Sequence, residues 1–153
     1  METRIKHVAE APVQIGLPPN TPNPIKPEWY AGRRHAALAP LVGLKQFGVN
    51  HVTLERGAYS ALRHWHEEED EFVYVLSGAP ILIDDNGKHA LKPGDIIGFP
   101  AGAANAHHLT NESDEPAVIL AIGTRKVGRE VVHYPDEGFG PNAVTRDAKG
   151  NRI

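Results

Sequence analysis

The chain has 153 residues, enough for one domain that buries a core of its own without covalent staples. It has no cysteine, which excludes disulfides and thiolate metal sites, and its net charge of −3 with mixed signs excludes the basic footprint of a nucleic-acid binder. No stretch is apolar and long enough to span a membrane, and Met1 to His7 lack the apolar run of a signal peptide, so the expected setting is cytoplasmic, with neither nucleic acid nor membrane as partner.

Residues 11–27 carry six prolines: Pro12, Pro18, Pro19, Pro22, Pro24 and Pro27. Proline fixes φ and removes backbone donors, so residues 1–40 read as an extended arm, draped over the protein or left as a disordered leader. From Leu44 the pattern is β. Leu44 to Glu55 is apolar and β-branched and stops at Arg56-Gly57, and Ser60 to His66 is the next strand. Glu71 to Leu76 follows, closed by Ser77-Gly78, and Pro80 to Ile83 runs into Asp84-Asp85-Asn86-Gly87, a hairpin signal. Turns at Lys92–Asp95 and Phe99–Gly102 lead to strands at His107–Thr110 and Ala117–Ile122. Short strands separated by turn chemistry argue for an all-β barrel or sandwich, here over residues 41–133. Residues 134–153 are polar, carry Gly138, Gly140 and Gly150, and read as a loop-rich C-terminal tail.

Strand side chains alternate between faces. With Glu71, Val73 and Val75 inward, Phe72, Tyr74 and Leu76 form an outer face too apolar for water, which points to a covering arm or a second subunit; a homodimer is expected.

The chemistry lies in His64-Trp65-His66, Glu71 and, further along, His107 or its neighbour His108. Two histidines at i and i+2 share one strand face, and neighbouring strands can add a carboxylate and a third imidazole. Three neutral imidazoles and a carboxylate suit a divalent transition metal: Mn, Fe, Ni or Zn. The acidic run Glu67-Glu68-Glu69-Asp70-Glu71 offers several carboxylates; Glu71, which opens the apolar strand, is the candidate ligand, and the other four read as a solvated turn.

These residues resemble the cupin superfamily. Its first motif is Gly, five residues, His-x-His, three or four residues, Glu, six residues, Gly; Gly57, His64, His66, Glu71 and Gly78 match it with one extra residue after Gly57. Its second is Gly, five residues, Pro-x-Gly, two residues, His, three residues, Asn; Gly94, Pro100, Gly102, His107 and Asn111 match it with four residues before the histidine instead of two. The resemblance covers about residues 44–123 and is closest to small single-domain bacterial cupins of unassigned function. It implies a jelly-roll β-barrel, frequent dimers, and metal binding by His64, His66, Glu71 and His107; the three-residue spacing to Asn111 selects His107 over His108. Leu62, Val73, Val75, Leu109, Val118 and Leu120 are expected to line the interior, with no assignable inward Arg or Lys. Four protein ligands leave positions open on a six-coordinate ion, which favours an enzyme acting on a small oxygenated molecule: an isomerase, a lyase or a dioxygenase. The alternative is a module that binds metal and a small ligand without turnover. His51, Tyr59, Tyr74 and His133 are the candidates for a general base.

Overall fold

The computed structural model describes residues 2–17, 26–126, 128–136 and 140–146, with backbone alone for 129 and 140–146. The described part is all-β, with no helix of seven residues or more. Its strands are β1 (Val13–Ile15), β2 (Arg33–Ala37), β3 (Phe47–Leu54), β4 (Trp65–His66), β5 (Glu71–Ser77), β6 (Ile81–Asp84), β7 (Gly87–Ala90), β8 (Ile96–Phe99), β9 (His108–Thr110), β10 (Ala117–Thr124), β11 (Gly128–Tyr134) and β12 (Gly140–Arg146). A six-stranded sheet runs β1-β2-β3-β10-β5-β8, and two three-stranded sheets run β12-β11-β4 and β7-β6-β9. Every described pairing is antiparallel, the pattern of a jelly-roll barrel.

Alternation builds the core. Val73 and Val75 of β5 are fully buried, as are Leu54 of β3 and Ile119 of β10, and they pack with Val52, Ala58, Leu82, Phe99 and Leu109. Phe72, Tyr74 and Leu76 are exposed on the other face of β5, as their spacing requires, and Ile96 of β8 is exposed beside them. A second cluster, Tyr30, Leu62, Val132 and Tyr134, closes the barrel on the side of β4 and β11.

The ends differ from the sequence reading. The arm expected over residues 1–40 contains β2, which sits between β1 and β3 inside the large sheet; residues 18–25 of its proline-rich stretch lie outside the described residues. The tail expected to be loop-rich contains β12, paired along its length with β11. Arg63 ties this hairpin down: its Nε and Nη2 donate to Asp136 at 2.6 and 2.8 Å, and its Nη1 reaches Asp85 and the Ala106 carbonyl. The expected strand Ser60–His66 is reduced to Trp65–His66 because the backbone bends through Ser60 to Arg63.

Two motif residues turn out to shape the backbone. Asn111 is fully buried; its Nδ2 donates to the Leu54 and Glu115 carbonyls, and its Oδ1 accepts from Ser113. Gly78 has φ of 80°, and a Cβ built there would lie 2.5 Å from the Pro116 carbonyl oxygen. Gly78→Ala is expected to destabilise the fold by roughly 2 kcal/mol or more, from left-handed strain and this collision, seen as a lower urea midpoint at unchanged m. An unchanged midpoint would show that the turn relaxes.

Candidate metal centre

Two hydrogen bonds set the framework. The His64 amide donates to the His107 carbonyl at 3.2 Å and the His107 amide to the His64 carbonyl at 2.9 Å, an isolated antiparallel bridge joining the two motifs. It places the His64 and His107 rings 5.1 Å apart, and the His66 ring stands edge-on to His64 at 5.0 Å. Glu71 opens β5 between Gly123 and Phe99 on the flanking strands, and the Phe99 ring stacks flat on His107.

The three rings converge on one atom. Glu71 Oε2 lies 2.8 Å from His107 Nε2, 3.8 Å from His64 Nε2 and 3.9 Å from His66 Nε2. His64 and His107 are held from behind by hydrogen bonds through their other nitrogen, while His66 Nδ1 has only the near approach of a carboxylate. His64 Nδ1 meets the Leu62 carbonyl at 2.6 Å, His107 Nδ1 the Asn105 carbonyl at 2.9 Å, and His66 Nδ1 lies 3.4 Å from Glu130 Oε1. A carbonyl can only accept, so these contacts assign a proton to Nδ1 of His64 and His107. The 2.8 Å hydrogen bond from His107 Nε2 to Glu71 Oε2 carries a further proton, which a cation at that place would displace.

Electrostatics sharpens this. Burial, with His66 beside it, pushes His64 down to about 3, so its ring is neutral at physiological pH. Burial opposes charge on Glu71, but the His107 contact and the other two imidazoles outweigh it and hold the carboxyl down at about 2. The cluster therefore gathers three imidazole Nε2 atoms around one carboxylate oxygen, a donor set that suits a divalent cation. Two ligands that each bind a cation at about 2.1 Å sit no more than about 4.2 Å apart, and all three distances to Glu71 are inside that limit. One ligand atom from each of His64, His66 and Glu71 lies within 4.8 Å of the others. That grouping fits a metal and leaves out His107, which reaches it through Glu71.

Behind His66 stands Glu130, fully buried on β11, with Oε1 also accepting weakly from the Glu68 amide and Oε2 without a partner. Burial opposes its ionisation too, but His66 and the backbone amides of Glu68 and Glu67 prevail and keep its pKa below the usual range. The sequence reading missed Glu130. Its signal was a lone acid at the inward phase of Glu130-Val131-Val132-His133-Tyr134, where Val132 and Tyr134 are buried.

The cluster opens into a cavity of about 240 Å³ inside the barrel, whose walls include Val73, Leu109, Ile119 and Ala121. Three expectations need correction here. On β10 it is Ile119 and Ala121 that share the inward face with Val75 and Val73, not Val118 and Leu120, which pair with Ser77 and Tyr74. The wall also carries two cations, Arg33 and Arg125, where none was expected. None of His51, Tyr59, Tyr74 or His133 borders this cavity: His133 stacks on Trp65 and bonds Glu67, and Tyr59 packs between Trp29 and His108. His108 turns its Nδ1 to the Ala61 carbonyl and stays off the cluster, whereas His107 is almost fully buried within it.

The Cupin domain family profile matches residues 50–123. Among curated proteins, none matches this chain. Among solved structures, a sugar phosphate isomerase from a cupin superfamily of Silicibacter pomeroyi is 40% identical, with a TM-score of 0.82 over 96% of this chain and 90% of its own. A proposed sugar phosphate isomerase from Acidithiobacillus ferrooxidans is 34% identical, with a TM-score of 0.69 over 81% of this chain and 77% of its own. The polyketide cyclase RemF from Streptomyces resistomycificus, at 22% identity and a TM-score of 0.63 over 82% and 81%, shares the fold. With two histidine motifs bridged inside one barrel and likeness running nearly end to end, the chain belongs to the cupin superfamily.

Proposed function

We propose that this protein is a metal-dependent isomerase of small hydroxy-carbonyl compounds, with a divalent ion (Mn, Fe, Ni or Zn) held by His64, His66, Glu71 and His107. The observation that carries the reading is the convergence of the three imidazole Nε2 atoms on Glu71 Oε2, at 2.8, 3.8 and 3.9 Å. When bound, such an ion supplies Lewis-acid polarisation of a carbonyl oxygen. The chain's own residues do the rest. Nδ1 contacts fix the rings, and Val73, Leu109 and Ile119 exclude bulk water around the open side. Among ionisable groups on the wall outside the cluster, Glu69 and Asp70 are engaged by the amides of Lys126 and Ala101, and His108 by the Ala61 carbonyl and the Tyr59 ring. His35 is the candidate for proton transfer: burial first, and then Arg33, lower its pKa and keep it neutral.

The likeness to two proteins described as sugar phosphate isomerases favours this chemistry over lyase or dioxygenase action. At about 240 Å³ the cavity is below the roughly 300–1,000 Å³ of sites for drug-sized ligands, which limits the substrate to a small molecule. A homodimer is part of the same reading, supported by the exposed apolar row Phe72, Tyr74 and Leu76, and a cytoplasmic setting is proposed with it.

The test is to purify the protein, measure its metal content, reload it with each of the four ions, and follow aldose–ketose interconversion by NMR across free and phosphorylated sugars. Turnover that disappears on chelation and returns with one ion is the expected result. Stoichiometric ligand retention without turnover would make the protein a binding module instead, and oxygen uptake would make it an oxygenase.

A further inference from the structure

Arg33 is an expensive residue to bury. It is only 7% exposed, yet no carboxylate among the described residues pairs with it. Its Nε donates to the Ser60 carbonyl at 2.8 Å and its buried Nη1 has no partner. Burial drags the guanidinium down to about 10, still cationic at neutral pH. A buried cation without a counter-charge is strongly unfavourable, and a bound anion is the group that would complete it.

The placement says which ligand. Arg33 and His35 sit at i and i+2 on β2 and border the same cavity as the metal cluster, while Arg34 between them points out to Glu55. Arg125, after β10, borders that cavity too: a Cβ on Gly48 of β3 would lie 2.5 Å from its Nη2, so the glycine leaves room for the guanidinium along the wall. His35 meets Asn50 at 2.9 Å, adding a neutral polar pair between the two arginines' strands. The cavity is thus polarised. Its acids, Glu69, Asp70 and Glu71, gather at the metal end, where Arg125 also lies, between Thr124 and Lys126, whose amides bond Asp70 and Glu69. Arg33 borders the cavity from beside Leu54, at the other end of β3.

We propose that Arg33 anchors an anionic oxygen group of the substrate, a phosphate ester, while the substrate's carbonyl end lies toward the metal cluster. This rests on the reading of the cavity as the substrate site. The guanidinium fork matches the spacing of phosphate oxygens and supplies the donor that Arg33 lacks a partner for. The anchor also explains how a small, largely apolar barrel orients a polar molecule: one charged end is fixed, so the other is presented in a single direction.

The experiment uses the full chain stripped of metal by a chelator and titrated with inorganic phosphate by calorimetry. The wild type is expected to bind one phosphate, and Arg33→Gln to weaken that binding by about tenfold or more, with Arg33→Lys in between. Thermal melts show whether the variants fold. Wild-type protein supplies the arm that needs no variant: ribose 5-phosphate should displace phosphate and ribose should not. Wild-type protein that takes no phosphate, a folded Arg33→Gln that binds it as the wild type does, or ribose competing as well as its ester would each overturn the anchor. Ribonate displacing phosphate more strongly than the ester would overturn the phosphate assignment in favour of a carboxylate. Mn(II) binding is measured separately. Mn(II) bound without phosphate would defeat the anchor alone, and phosphate bound without Mn(II) would support it and defeat the metal reading.

Discussion

His107→Ala is expected to abolish stoichiometric binding of a divalent ion, and His108→Ala to leave it near the wild-type level. The two residues are adjacent, but the bridge to His64 directs only the first into the cluster, where its Nε2 lies 2.8 Å from Glu71. His108 is occupied elsewhere, against the Ala61 carbonyl and the Tyr59 ring. Losing a direct ligand costs more than losing the residue behind it, which already costs about 10–100-fold in affinity. The loss for His107→Ala is therefore expected to exceed about 100-fold. Metal content after gel filtration, followed by a Mn(II) titration, reads the difference. His107 also carries the flat stack against Phe99, so truncation leaves a void and lowers stability; a melt of each variant separates unfolding from lost ligation. Retained binding in His107→Ala with loss in His108→Ala would mean that the second motif presents the other imidazole.

How much of this was legible in the sequence follows from which constraints are local. The alternation of β5 is local, and Val73 and Val75 against Phe72 and Tyr74 could be read directly. Motif spacing placed Glu71 and His107, because a strand that must bury its apolar side has one register. Long-range pairing was not legible. β2 lies in a segment whose neighbouring prolines suggested an arm, so the inward phase of Arg33 could be assigned only once its pairing with β3 was known. β12 reads as a polar tail because its partner, β11, supplies the apolar side of the hairpin. Val118 and Leu120 were assigned inward on hydrophobicity alone. Both phases of β10 are apolar, so its sequence cannot choose a face, and pairing with β5 and β3 makes the choice.

The same long-range pairing brings Glu130 to the back of the metal cluster, where Glu130→Gln is expected to lower divalent-metal affinity by about 10–100-fold while the barrel stays folded. β11 pairs with β4 through Val132 and His66, which sets Glu130 Oε1 3.4 Å from His66 Nδ1. As a carboxylate it can only accept, so it favours the tautomer with the proton on Nδ1 and the lone pair on Nε2. Glutamine has the same size but brings an NH2 donor. Turned toward His66, that donor favours the opposite tautomer and puts a proton on the nitrogen facing Glu71. The fold meets little change, since the side chain stays buried and the Glu68 amide can still find the amide oxygen. Parallel Mn(II) titrations and thermal melts separate the two effects, and 15N chemical shifts of His66 report its tautomer directly. If Glu130→Gln bound Mn(II) within twofold of wild type with the same His66 tautomer, the buried acid would have no part in orienting the ring, and its lone position on an apolar strand would need another cause.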